Sequence, residues 1–170
     1  MNDRAAAPGG LALVEALVNT LNVETGADAL DTTDGRAGFG LAEAEVPAAR
    51  ELREALRAAC LAHAGHTLPG HSPTALDDLL SEAPLLVTVR PDGSAALRPA
   101  APHTLASRVA AALAAAAADG TWSRLKACEA EDCHWAYYDR SPAGRSRWCS
   151  MAVCGARAKM RTYRARRSAP

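Results

Sequence analysis

Aromatic side chains are almost missing from the first 120 positions of this 170-residue chain. Phe39 stands alone there, whereas Trp122, Trp135, Tyr137, Tyr138, Trp148 and Tyr163 crowd the remainder. Acidic residues are missing from the opposite end: none follows Asp139, yet Arg140, Arg145, Arg147, Arg157, Lys159, Arg161, Arg164, Arg166 and Arg167 do. The formal net charge of zero therefore hides a division. Residues 1–120 carry 8 Lys/Arg against 15 Asp/Glu, and residues 121–170 carry 11 against 4, giving −7 and +7. Such segregation speaks about partners rather than fold. Nothing in the composition suggests disorder or a membrane span. Also absent are a Gly-rich phosphate loop, a G-x-S-x-G elbow and carboxylates paired by a recognisable motif. No catalytic residue is assigned, and the chain is read as a binding protein, not an enzyme.

What is present divides at about residue 120. Leu13, Leu17 and Leu21, joined by Val14 and Val18, share one face of an amphipathic helix. From Glu24 to Gly40 the Gly, Asp and Thr content breaks periodicity and predicts a loop. Pro47 suits a first helical turn, and Leu52, Leu56, Ala59, Cys60 and His63 continue a second helix to Gly65, with Cys60 in the core. Ser72-Pro73-Thr74 opens a short helix that ends before Pro84. Leu85 to Val89 and Ser94 to Arg98, joined by Pro91-Asp92-Gly93, predict a hairpin. A helix capped by Thr104 then runs to Asp119-Gly120. The spacing of His63, His66 and His71 fits no regular metal geometry, and the three read as a solvated helix-end cluster.

The last fifty residues follow other rules. A segment of that size buries too little apolar surface to offset its chain entropy, so it needs a staple. Cys128, Cys133, Cys149 and Cys154 supply one, in the pattern C-x4-C-x15-C-x4-C. Two close thiol pairs separated by a loop suit a single structural Zn2+ held by four thiolates. The spacing alone also admits two disulfides or free thiols. MNDRAAAPGGLALVEALVNTL has no basic n-region, uninterrupted apolar h-region or cleavage site, which points to a reducing, cytoplasmic setting and favours metal. Around these cysteines the sequence predicts a metal-holding turn and an aromatic strand over Trp135 to Asp139. A return strand over Arg145 to Trp148 and a helix whose first turn carries Cys154 complete a treble-clef-like order. Trp135, Tyr137 and Trp148 are read as the miniature core beside the metal.

These residues resemble the CGNR zinc-finger family, named for the tetrapeptide that starts at the last ligand, here Cys154-Gly155-Ala156-Arg157. The agreement extends to Asp139-x-Ser141, to Arg147-Trp148-Cys149-Ser150-Met151 and to Ala158-Lys159. The opening LALVEALVNTLN is similar to the start of the helical N-terminal domain that usually precedes this finger in stress-induced transcription regulators. Ala156 departs from the family's asparagine, and whatever hydrogen bond that amide makes is absent here.

The expected fold class is α+β. A mainly helical N-terminal domain over 1–120, with a small β-hairpin and a regulatory or sensory role, precedes a treble-clef-like finger over 121–170. Counting about 100° per residue from Arg157 places Arg161 near 40°, Arg164 near 340° and Arg167 near 280°, while Lys159 and Arg166 point the other way. With Arg145 and Arg147, these four arginines are the candidate nucleic-acid-binding residues, since guanidinium forks match phosphate oxygens and binding releases counterions. DNA is the expected partner, with a small-molecule effector or a protein acting on the N-terminal domain. The alternative is a zinc-stabilised protein- or RNA-interaction module without sequence-specific DNA binding.

Overall fold

The computed structural model describes residues 5–67 and 75–168. Its helices are α1 (Leu11–Val18), α2 (Thr33–Ala37), α3 (Val46–Ala62), α4 (Ala75–Ser81), α5 (Leu105–Ala118) and α6 (Ala156–Ser168). The strands pair as two antiparallel hairpins, β1 (Leu85–Val89) with β2 (Ala95–Pro99) and β3 (Leu125–Ala127) with β4 (Ala136–Tyr138). The architecture is thus the predicted α+β class, mainly helical with two small hairpins. His71 and the expected helix start at Ser72–Thr74 lie outside the described residues.

The core forms where α1, α3 and α5 bring together Leu11, Val14, Leu17, Val18, Leu52, Leu56, Leu61 and Val109. Burial of such side chains contributes about 1.5–3 kcal/mol each. Leu125, Ala127 and Ala136 of the second hairpin belong to the same cluster, so β3 and β4 rest directly on α1 and α3. The join with α5 is short. Gly120, at φ +73°, ends α5 in the left-handed region that favours glycine, and a 3₁₀ turn over Trp122–Arg124 leads straight into β3.

Three expectations are corrected. Residues 24–40 are not a plain loop, because Asp28 accepts from the Leu30 N–H to cap a 3₁₀ turn over Ala29–Asp31 and Thr32 accepts from the Gly35 N–H to cap α2. Leu21 is not helical: α1 stops at Val18, and Leu21 instead bridges to Asp28. His63 is not part of a solvated cluster. Its Nδ1 donates to the Leu125 carbonyl at 2.7 Å, its ring meets Trp122 edge to face, and burial pulls its pKa below the ordinary value.

Helix α3 also buries two arginines, which the sequence reading did not expect. Arg57 is only 1% exposed. Its Nε donates to Glu54, its Nη2 to the Val18 carbonyl that closes α1, and its Nη1 to the His134 carbonyl, each at 2.9 Å. Arg53 donates to Asp28 and to Thr20. Cys60 lies wholly buried on the same helix, as expected, and burial pushes its thiol up to about 12.

Candidate metal centre and nucleic-acid interface

The cysteine turn sits at the tip of the β3–β4 hairpin. The ladder extends through the Cys128 N–H, which donates to the Trp135 carbonyl, and the turn closes where the Cys133 and His134 N–H groups both reach the Ala130 carbonyl. His134 takes φ +47°, an uncommon conformation for a side chain of its size, and the Arg57 guanidinium holds its carbonyl. The strand pairing differs from the expected one. Trp135 to Asp139 does not pair with Arg145 to Trp148 but with Leu125–Ala127, because the latter already lies against the helical core. Arg145 to Trp148 is irregular, meeting the turn through the Glu129 N–H to Arg147 carbonyl bond.

Asp139 organises the loop that returns the chain to the second cysteine pair. It is fully buried. One carboxylate oxygen accepts from the Ser141 N–H at 3.0 Å; the other accepts from the Ser146 N–H at 2.9 Å and Lys126 Nζ at 3.1 Å. Lys126, itself buried, also donates to the Gly144 carbonyl. Burial works to raise the Asp139 pKa, but the hydrogen bonds from Ser141, Ser146 and Lys126 outweigh it and hold the carboxyl far below its usual range. This accounts for Asp139-x-Ser141 as a structural motif. An Asp139→Asn variant must turn its amide N–H toward donors, so a lower melting temperature is expected at pH 7. Because the folded pKa is depressed, the stabilisation is complete above the unfolded carboxylate pKa of about 3.9 and erodes as pH falls below it. Thermal melts of the two zinc-loaded proteins should show the same gap from pH 7 down to about pH 6, where the thiolates still hold the metal and the Asp139 carboxylate stays ionised.

The second pair is set by a helical turn. Ser150 accepts from the Val153 N–H and so caps a π-type turn over Met151–Gly155, which carries Cys154 inward. At Gly155 an added Cβ would meet the Met151 Sδ and Cε at 3.1 Å and Trp148 Cδ1 at 3.2 Å, so the glycine lets this turn pack on the tryptophan. Tyr137 is buried and donates its hydroxyl to the Ser146 carbonyl, while Trp135 and Trp148 pack half-buried against the cysteines.

The four sulfurs lie within 4.8 Å of one another, with Cys133 to Cys149 at 3.6 Å and Cys149 to Cys154 at 3.7 Å. Tetrahedral zinc with bonds of about 2.3 Å places its sulfurs about 3.8 Å apart, whereas a disulfide needs about 2.05 Å. The cluster therefore fits one metal and not two disulfides. The protonation chemistry agrees. Hydrogen bonds from the Cys133 and Cys149 thiols pull Cys128 far down, and the Cys128 sulfur in turn pushes Cys149 far up. Four thiolates do not coexist at this spacing without a cation. Cys128, Cys133, Cys149 and Cys154 hold one Zn2+, which supplies a crosslink where the segment lacks a core of its own.

Beyond the metal, α6 is exposed along its described length apart from Ala158. Its first arginine, Arg157, faces Glu24 at 3.3 Å and Asp132 at 3.6 Å. Arg167 donates to the Tyr163 hydroxyl at 3.2 Å and lies over that ring. Arg161 and Arg164 line an open groove with Ala152, Val153, Ala156, Arg157 and Met160. The other two candidates stand apart from α6. Arg145 is exposed on the Asp139 loop, and Arg147 forks onto both carboxylate oxygens of Glu129 while covering Trp148.

No curated protein matches the chain. Two family models do match: residues 124–167 fit the CGNR zinc finger, and residues 11–120 fit the model described as "Putative stress-induced transcription regulator". The second covers more than half of the sequence, so the chain belongs to that regulator family and carries its zinc in a CGNR finger.

Proposed function

We propose that this protein is a DNA-binding, stress-responsive transcription regulator of the cytoplasm that works by binding and not by turnover. Residues 1–120 sense a small molecule or a protein partner, and residues 121–170 engage the duplex. The observation that carries the reading is α6, an exposed helix with six cationic side chains and no acidic one, set directly on a metal-braced turn. Zinc fixes where the helix begins, and Arg161 and Arg164 then meet phosphates as one row, which Arg157 joins by exchanging its exposed pairs with Glu24 and Asp132 for a phosphate. Arg167 and Arg145 add charge at the margins. Arg147, already paired with Glu129, contributes through the metal turn instead.

The logarithm of affinity should fall against the logarithm of salt with a slope of about −0.9 per phosphate contacted. Replacing Arg157, Arg161 and Arg164 together by alanine should weaken binding to unrelated duplexes alike and make that slope shallower by up to about 2.7. Fluorescence anisotropy across a salt series measures both quantities. Absence of binding by the zinc-loaded wild type at low salt would refute the proposal.

A further inference from the structure

The wheel of α6 holds more than one basic row. Measured from Arg157, the row of Arg157, Arg161 and Arg164 centres near 0° and the row of Lys159 and Arg166 near 190°, about half a turn apart. Between them, near 240–300°, lie Tyr163, Ala156, Arg167 and Met160. Met160 is 49% exposed and Tyr163 53%, and Val153, 48% exposed, extends the same apolar strip onto the π turn. The opposite side, near 80–140°, holds Ala165, Ala158 and Thr162. Ala158 and Thr162 line the concavity shared with Glu129, Trp148 and Met151, with Lys159 and Arg161 at its two sides, so the strip of Met160 and Tyr163 is turned away from the body.

A half-exposed methionine and tyrosine, flanked on both sides by cations and with Arg167 folded over the tyrosine ring, suit an occupant with two anionic walls and a floor that offers both methyl groups and acceptors. The B-form major groove has that form. It is about 12 Å wide, admits one helix, is bounded by phosphates on both strands and displays thymine methyl groups between them. We infer that α6 lies in the major groove of double-stranded DNA with its two basic rows on opposite phosphate backbones, and that Met160, Tyr163 and Ala156 read thymine methyls on the floor. This rests on the DNA-binding reading above and adds the residues that would set sequence preference. Ala156, the first residue of α6, adds a methyl group to this floor, where an amide side chain would instead seek adenine. The chain is thereby directed toward thymine contacts at that position.

The test uses the full-length, zinc-loaded protein and a Met160→Ala/Tyr163→Ala variant. Both side chains are about half exposed, so the variant should retain its metal, which intact mass spectrometry verifies. Duplexes selected from a random pool by the wild type are then compared with scrambled duplexes and with copies in which deoxyuridine replaces thymidine, removing only the methyl groups. The wild type should prefer selected over scrambled duplexes by tenfold or more and lose several-fold of that preference on uridine substitution. The variant should show little preference for selected over scrambled duplexes and no uridine effect, whatever its affinity for scrambled duplex, since losing Tyr163 also frees Arg167. Preference unchanged in the variant, or a wild type indifferent to uridine, would overturn the assignment while leaving DNA binding intact. Wild-type binding to phosphatidylglycerol vesicles with none to any duplex would overturn both.

Discussion

Cys149→Ser should abolish stoichiometric zinc binding and unfold the end of the chain while leaving the helical core standing. The Cys149 sulfur is one of four that lie within 4.8 Å of one another, at 3.6 Å from Cys133 and 3.7 Å from Cys154, so its loss leaves three thiolates and an open fourth position. Structural zinc contributes about 10–16 kcal/mol in finger peptides, far more than a segment of this size draws from packing. Tyr137, Trp135 and Trp148 would then surround thiols instead of a metal thiolate cluster, and the turn that starts α6 would lose its anchor at Cys154. Native mass spectrometry should report the zinc-free mass, and far-UV circular dichroism a partial loss of helix. Leu125, Ala127 and Ala136 stay in the main core, so a cooperative melt of α1, α3 and α5 should persist. A variant that retains one zinc per chain would overturn the assigned ligands. The same changes should follow chelator treatment of the wild type and reverse when zinc is restored.

Arg57→Ala should cost about 3–5 kcal/mol, the range for breaking a buried ion pair by removing one partner. The Val18 and His134 carbonyls lose the Arg57 donor, and Glu54 loses one of its two arginine partners, Arg53 Nε remaining on its other oxygen at 2.7 Å. Burial works to raise the Glu54 pKa, and the charges and hydrogen bonds of Arg57 and Arg53 together outweigh it; without Arg57 that carboxylate keeps only the Arg53 part of the compensation. Urea denaturation of the zinc-loaded protein should show the loss. A second readout separates this from simple core damage. Arg57 holds the carbonyl of a residue in left-handed geometry within the cysteine turn, so competition with a chromophoric chelator should show weaker zinc binding as well. Arg57→Lys reaches fewer acceptors and should recover only part of either property.

These two residues also mark what could be read in advance. Cysteine pairs at short spacing beside an arginine-rich stretch are a local pattern whose chemistry needs no knowledge of the rest of the chain, and the four ligands followed from it. The helices followed where apolar spacing spans several turns, as in α3 and α5. The pairing of β4 was misjudged because choosing a partner strand is a tertiary decision. The three residues Leu125–Ala127 look unremarkable, yet their placement against α3 in the core makes them the available edge. The Asp28 and Thr32 caps build elements of three and five residues, too short to show a period. Arg57 had a faint signal: with Arg53 and Cys60 it falls at i, i+4 and i+7 on a helix face that should be apolar. Two basic residues so placed need acceptors from other elements, and those appear only once α1 and the cysteine turn are in place.

Few residues separate α5 from β3, and the edges of the second hairpin are bolted to the helices. The Asn19 side chain exchanges two hydrogen bonds with the backbone of Ala136, His63 grips Leu125, and Arg57 holds His134. The finger therefore does not swing on a tether. The hairpin travels with the helices as one solid, and from the start of α6 Arg157 reaches back to Glu24. On the DNA-binding function proposed above, a molecule that docks on the helical part would bring its own bulk and charge close to the duplex, and signalling would act by blocking or repelling it.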